Sequence, residues 1–322
     1  MVLRKITAKE ERLHEMFPDN KRYNAIGGYL KNRFGCKLIK LSLDGGFTCP
    51  NRDGTLSSNG CIFCSGGGSG DYASSRQLNI HDQVDSQIQL LKRKWPKGKY
   101  LAYFQNYTNT YADIETLKRS YCNALTYPSI IGLAIATRPD CLSGETLELL
   151  SDLNNKTYLW VELGLQTIHE KTAQLINRQY PLKVFEKALT ELNQRNIRTV
   201  IHLIMGLPSE TKHDMLQSVC YLSSKNIFGV KIHLLHVLKD TPLCQMYYQD
   251  MFNTLNKEEY TNLIVDALEI LPSEITIHRL TGDASRKMLI APKWSTDKKS
   301  VLNGIDAELR KRNSWQGKHL QL

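Results

Sequence analysis

The chain has 322 residues, 41% of them hydrophobic and 8% aromatic, and its 42 Lys and Arg outnumber 32 Asp and Glu to give a formal charge of +10. Apolar residues are spread throughout with no low-complexity tract and no fixed period, which excludes long disorder, a collagen-like chain and a coiled coil. The longest apolar stretches, such as Ile130 to Ala136, fall far short of the roughly 20 residues a spanning helix needs. The opening MVLRKITAKEERLHEM lacks the apolar core of a signal peptide, so a cytoplasmic location is expected.

In chain order, a first helix is predicted over Lys21 to Phe34, followed by β-rich runs at Leu38–Leu43, Tyr100–Gln105, Ile130–Thr137, Tyr158–Gly164, Arg198–Met205 and Gly229–Leu235. Helical patterns separate them. In the first, Ile80, Val84, Ile88, Leu91 and Trp95 step by four, four, three and four residues along one face. Six strands alternating with helices predict an α/β fold with a parallel sheet, either a partial (β/α)6 barrel or an open doubly wound sheet. Several strands are apolar on both faces, as expected when helices cover one side and a barrel interior fills the other. Residues 1–35 read as an N-terminal basic helical segment, 36–240 as the barrel, and 241–322 as a C-terminal α+β extension with a basic tail.

In either architecture ligands bind at the carboxyl ends of the strands. The loops there hold Asp44 with Gly45 and Gly46, Gln105 with Asn106, Thr137 with Arg138, Glu162 with Gln166, Gly206 to Glu210, and His233 with His236. His233 and His236 are three positions apart, which on a regular strand puts them on opposite faces: one is a candidate substrate contact or proton donor, the other a structural histidine.

Of the eight cysteines, Cys49, Cys61 and Cys64 cluster directly after the first strand, followed by the glycine-rich Ser65 to Gly70. Three thiolates fit a 4Fe-4S cluster with one iron left open, whereas a tetrahedral zinc site normally takes four ligands. The alternative is zinc completed by Cys36 or a histidine, although about 20 Å of strand separates Cys36 from the loop.

Charge is segregated along the chain. Residues 1–40 hold 10 basic and 4 acidic side chains, residues 286–322 hold 9 and 3, and residues 41–285 hold 23 and 25. Basic ends, one carrying Trp294 and Trp315 among Lys311, Arg312 and other cations, suit a phosphate-binding surface flanking a neutral body; a merely solvated basic surface is the alternative. Arginines and lysines neutralise phosphates, and an aromatic face stacks on an unpaired base. Arg279 and Asp283 in His278-Arg-Leu-Thr-Gly-Asp283 are candidates for the substrate mouth, with a structural ion pair as the alternative.

The cysteine loop resembles that of the radical S-adenosylmethionine (SAM) enzymes, in the long-spaced form of the Elongator catalytic subunit, with eleven residues instead of three between the first two cysteines. Tyr103 to Tyr111, Ala136-Thr-Arg-Pro-Asp140, Glu162 to Thr167, Ile204 to Thr211, His233-Leu-Leu-His236 and the tail from Ala291 to Gly317 are similar to the bacterial YtqA/MnmL family. That resemblance implies a partial barrel, a 4Fe-4S cluster on the three cysteines, and SAM as the source of a 5′-deoxyadenosyl radical. It implies Phe63 near the SAM adenine, Leu203 and Ile204 flanking it, and Glu162 with Gln166 on the ribose hydroxyls. Gln105 and Asn106 replace the family's usual Gly-Gly-Glu, which leaves the SAM amine ligand open, and Arg138 or Arg178 would pair with the SAM carboxylate. The implied partners are tRNA and a low-potential electron donor of flavodoxin or ferredoxin type, with no membrane and no DNA. The implied reaction turns 5-carboxymethylaminomethyluridine at the wobble position into 5-aminomethyluridine. Competing readings are a radical SAM enzyme acting on a protein or small metabolite, and a zinc-stabilised RNA-binding module without catalysis.

Overall fold

The computed structural model describes residues 13, 15–17, 19–67 and 73–320, so most of the basic N-terminal arm and Gly68 to Gly70 of the glycine run lie outside the described residues. The helices are α1 Ile26–Phe34, α2 Ile80–Lys92, α3 Ile114–Leu125, α4 Gly144–Lys156, α5 Glu170–Leu175, α6 Leu182–Gln194, α7 Lys212–Ser223, α8 Pro242–Tyr248, α9 Lys257–Ile270 and α10 Lys298–Lys311. The strands are β1 Leu38–Leu43, β2 Lys99–Phe104, β3 Ile130–Thr137, β4 Tyr158–Gln166, β5 Arg198–Met205, β6 Gly229–Leu234, β7 Val237–Leu238, β8 Thr276–Arg279 and β9 Leu289–Ala291. Among these residues no helix is long and apolar enough to cross a membrane.

Seven strands form one parallel sheet in the order β1-β2-β3-β4-β5-β6-β8. Because the order follows the chain without reversal, the sheet is wound in one direction and curls into a partial barrel, which decides against the doubly wound alternative. The seventh strand, β8, comes from the segment read as an extension and pairs in parallel with β6. Ile277 of β8 also donates its N–H to the Asn24 carbonyl at 2.7 Å, which ties the chain ahead of α1 to this edge. Gln316, fully buried in the tail, completes the junction by accepting from the Asn24 N–H and donating to the Pro272 and Ile275 carbonyls.

The two faces of the sheet differ in chemistry. Outward-facing Leu41, Phe104, Ile135, Val161, Ile201, Leu203, Ile232 and Ile277 pack with the helices into the main core. The inward face carries a smaller aromatic core of Leu101, Tyr103, Tyr158, Trp160 and Val200, and above it polar side chains. Strands expected to be apolar on both faces are therefore apolar outward and largely aromatic or polar inward.

Helix α10 begins at Lys298. Its N-cap is Asp297, whose carboxylate accepts from the Ser300 N–H, and it buries Val301, Ile305 and Leu309 against α9. Truncating Ile305 to Ala should lower the unfolding free energy by about 2–5 kcal/mol, because a fully buried branched side chain leaves a cavity. Urea denaturation monitored by circular dichroism measures this, and a change below about 1 kcal/mol would mean α10 does not belong to the core.

Candidate active site

The eleven residues between Cys49 and Cys61 fold back on themselves. The Cys49 carbonyl accepts from the Arg52 N–H at 2.8 Å and the Asp53 N–H at 3.1 Å, which starts a tight turn. Fully buried Asn51 then closes the loop: its carbonyl accepts from the Gly60 N–H at 2.6 Å, and its amide donates to the Asn177 carbonyl at 2.7 Å. The Arg52 guanidinium donates to the Cys64 and Ser65 carbonyls at 2.9 and 2.7 Å. Gly60 takes a left-handed φ of +71°, and a Cβ there would press on Arg52. These bonds place Cys49, Cys61 and Cys64 on one cavity despite their spacing.

That cavity, of about 680 Å³, occupies the carboxyl end of the barrel, a size ordinary for a small-molecule site. At its cysteine end the Asn51 amide lies 3.5 Å from the Cys61 sulfur. A bond from Cys64 holds the Cys61 thiol down to about 7 against the effect of burial, with help from Arg138, Asn51 and Arg52. Among the described residues no three His, Cys, Asp or Glu side chains converge on a single ion. In a cubane each thiolate holds a different iron, so three thiols ringing a cavity with cations nearby fit a 4Fe-4S cluster. Phe63 lines this end and packs with Ile204, Leu235 and Val237.

Beneath the cavity lies a buried charge pair. Glu162 is fully enclosed and accepts from Lys231 Nζ, from Tyr103 Oη at 2.8 Å, from His202 Nε2 at 2.9 Å and, on its other oxygen, from Trp160 Nε1 at 2.9 Å. Burial alone would raise the carboxyl; the Lys231 ammonium and the His202 bond outweigh it and hold Glu162 well below the usual carboxylate range. The ribose assignment is corrected accordingly: both oxygens of Glu162 are committed to protein donors. Gln166, by contrast, lines the cavity at the end of β4 with φ +68°, its amide folded over Gly164.

Several other expectations are also corrected. Leu203 faces the helical layer, because neighbours on a strand point to opposite faces, and only Ile204 reaches the cavity. Asn106 turns away to donate to Asp44 Oδ2 at 2.7 Å, while Gln105 lines the cavity. Arg138 lines the wall but is paired through two bonds with Asp140. Arg178, almost wholly buried, donates to the carbonyls of Leu165, Thr167 and Tyr180 and braces the end of β4, while its Nη2, 3.6 Å from Glu170, makes no hydrogen bond on the cavity wall. Trp294 packs on Tyr260 and donates to the Leu255 carbonyl at 3.1 Å. Arg312 is held between α9 and α10 by Asp266, Glu308 and Asn262, so of these tail residues only Lys311 is fully presented to solvent. The strand β6 ends at Leu234, so its alternation stops before His236, and both His233 and His236 face the cavity. Arg279 and Asp283 also line it, 3.1 Å apart.

Sequence reading passed over Lys231, His202 and Tyr103. The signal was present: each is a polar-tipped residue at an inward position of an otherwise apolar strand, one inward step in register from Glu162, Tyr103 level with Trp160 and His202 and Lys231 level with Gly164.

The Radical SAM superfamily profile matches residues 54–221 and the Radical_SAM C-terminal domain matches residues 227–311. The chain belongs to the radical SAM superfamily. Its cofactors are those of the superfamily, a 4Fe-4S cluster and SAM. It is 44% identical to the uncharacterized protein YtqA of Bacillus subtilis over 301 residues, covering 94% of each chain. A tRNA uridine(34) acetyltransferase of Methanocaldococcus infernus is 25% identical over 163 residues, half of this chain and 30% of that protein. Among solved structures, the archaeal Methanocaldococcus infernus Elp3 lacking its N-terminus superposes with a TM-score of 0.66 at 18% identity, over 87% of this chain and 64% of that one. The shared fold is the partial barrel.

The buried histidines set a pH dependence. Burial, reinforced by Lys231, pushes His202 down to about 4, and burial pushes His236 to about 4. Each is neutral in the folded chain and protonated in the unfolded one between its folded value and the ordinary 6.5. Their stabilisation is therefore complete above pH 6.5 and is lost as pH falls toward 4, by about 1.4 kcal/mol per pH unit for each residue. Urea midpoints at pH 7.5, 6.0 and 5.0 should decline across that window. The His202→Gln variant should show a shallower decline, and an identical slope would contradict the assignment.

Proposed function

We propose that this radical SAM enzyme acts on the wobble uridine of tRNA, removing the carboxymethyl group from 5-carboxymethylaminomethyluridine to leave 5-aminomethyluridine. The observation that carries a two-ligand reaction is the cavity itself, with three thiols at one end and a separate set of hydrogen-bonding groups at the other. The tRNA assignment draws support from the partial match to a protein named for uridine 34 of tRNA, from the fold shared with an archaeal Elp3, and from the excess of basic residues.

When bound, the cluster and SAM would supply a 5′-deoxyadenosyl radical, and cleavage of SAM to methionine and 5′-deoxyadenosine would be the two-electron oxidant the reaction needs: the glycine unit of the substrate would lose two electrons and two protons to become an imine, water would cleave its carbon–nitrogen bond, and the two carbons would leave as glyoxylate. Cys49, Cys61 and Cys64 hold the cluster. Phe63 and Ile204 give an apolar surface for the adenine, and Gln166 together with Gln105 offers amide groups for the ribose and the amino-acid end. Tyr103, Lys231 and Glu162 form a floor whose polar groups bond to one another. Lys311 and the exposed lysines of α10 contribute to contact with the phosphates, and the electron comes from a flavodoxin- or ferredoxin-type donor.

The test is anaerobic. Protein reconstituted with iron and sulfide, reduced, and given SAM with tRNA from cells lacking the gene should release 5′-deoxyadenosine and convert carboxymethylaminomethyluridine to aminomethyluridine, read by mass spectrometry. Deoxyadenosine without a nucleoside change would support the second reading, a protein or metabolite substrate. In the same assay Cys61→Ala should lose the iron chromophore and all SAM cleavage; cleavage persisting in that variant would remove Cys61 from the ligand set.

A further inference from the structure

The end of the cavity away from the cysteines is built from β6, β8 and the turns that follow them. Arg279 Nη2 lies 3.1 Å from Asp283 Oδ2, and Lys298 Nζ reaches both Asp283 oxygens at 2.8 Å. The three groups carry a net positive charge. His233 and His236 face the same space, and the Nε2 of each is buried without a hydrogen-bond partner. Gly282 fits closely under the His236 ring, where a Cβ would lie 2.6 Å from Cε1, so the imidazole is seated against the turn that carries Asp283. The nearby Lys231 is already matched by Glu162. This end therefore offers one surplus cation, one carboxylate with lone pairs left over, and two imidazole nitrogens that need partners.

We propose that Arg279, Asp283, His233 and His236 form a subsite for a zwitterionic, N-substituted glycine-type group, with the carboxylate on Arg279 and the ammonium toward Asp283 and an imidazole. An unpartnered buried nitrogen is costly, and rings that turn toward a ligand with both a donor and an anionic acceptor would satisfy both nitrogens whichever tautomer each adopts. A purely apolar ligand would leave both nitrogens unsatisfied. A simple anion would leave Asp283 facing it. The inference rests on the wobble-uridine reading, since the carboxymethylaminomethyl side chain is such a group, and it assigns these residues to discrimination of substrate from product. SAM also ends in an amino acid, but that end belongs at the cysteine pole, where Arg52 and Arg138 lie near the thiols.

The test uses the reconstituted full-length protein with SAM and two synthetic anticodon stem-loops, one bearing carboxymethylaminomethyluridine and one aminomethyluridine. Fluorescence polarisation should show the wild type binding the carboxylated loop about tenfold more tightly, as expected for one charge-assisted contact. Arg279→Gln should cut that preference below about twofold while leaving affinity for the aminomethyl loop and for SAM unchanged; Arg279→Lys should retain part of it. A preference that survives in Arg279→Gln, or its absence in the wild type, overturns the subsite. Loss of SAM affinity with the loop preference retained assigns these residues to SAM and equally overturns it. Binding of neither loop refutes the tRNA reading instead. The subsite is then judged by whether N-benzylglycine, but not benzylamine, shifts the 15N resonances of the His233 and His236 rings; no shift overturns it. Should Arg279→Gln fail to fold, Asp283→Asn takes its place in that comparison, with the same loss expected.

Discussion

The structure turns on a carboxylate and an ammonium placed inside a barrel. Removing either charge from water costs several kcal/mol even after relaxation, and mutual attraction offsets this only when the remaining lone pairs are filled. Glu162 meets that condition because donors converge from four strands: Tyr103 on β2, Trp160 on β4 itself, His202 on β5 and Lys231 on β6. Their convergence depends on the parallel register, which sets Glu162 beside Val200 and His202 beside Lys231. A one-residue slip of β5 or β6 would turn its polar group into the helical layer and break the set. The pair thus specifies strand register where the outward face, made of interchangeable branched residues, specifies little.

The pair also shapes the cavity above it. Burial, reinforced by Lys231 at His202 and by His202 and Arg279 at His233, holds both imidazoles below their ordinary value, so they stay uncharged hydrogen-bonding groups. The cysteine loop forms the opposite wall independently of the pair. Asn51, Arg52 and Asn177 hold it through backbone carbonyls, and the Ile62 N–H bonds to the Ile176 carbonyl while the Leu243 N–H bonds to that of Ile62. Polar bonding fixes the loop, and apolar packing of Phe63 with Ile204 and Leu235 presses it onto the barrel.

How much of this was legible in the sequence follows from which signals are local. Leu38–Leu43, Ile130–Thr137 and Arg198–Met205 coincide with the observed strands because turn residues bound apolar runs at both ends. The short β8 carries only Ile277 as an outward anchor, and its place in the sheet depends on β6, the Asn24 carbonyl and Gln316, none of which is near in sequence. The cysteines and the strand-end edge stood out because residue type and position coincide there. Glu162 was visible as a carboxylate, but Lys231 sat in a run that reads as apolar, so a paired anion looked free. Arg312 and Trp294 misled in the opposite direction: composition marks them as nucleic-acid-facing, whereas Asp266, Glu308 and Tyr260 claim them. Composition reports what a side chain is able to do, and only the fold reports whether its partner is already present.

The two ends of the cavity answer to different constraints. At the cysteine end Arg138 is paired with Asp140 and Arg52 with two carbonyls, while Arg178 donates to three carbonyls and keeps one buried Nη2 without a hydrogen-bond partner. The three cysteines line the cavity there, suited to a cofactor held by sulfur. At the β8 end the charges do not cancel, with a surplus cation beside two imidazole nitrogens that have no partner. A ligand that supplies partners to these groups recovers the cost of leaving them unpaired. On the proposed reading, a radical formed at the cysteine pole gains from a second pole that its substrate completes, since the substrate's own binding would then fix the bond to be attacked between the two.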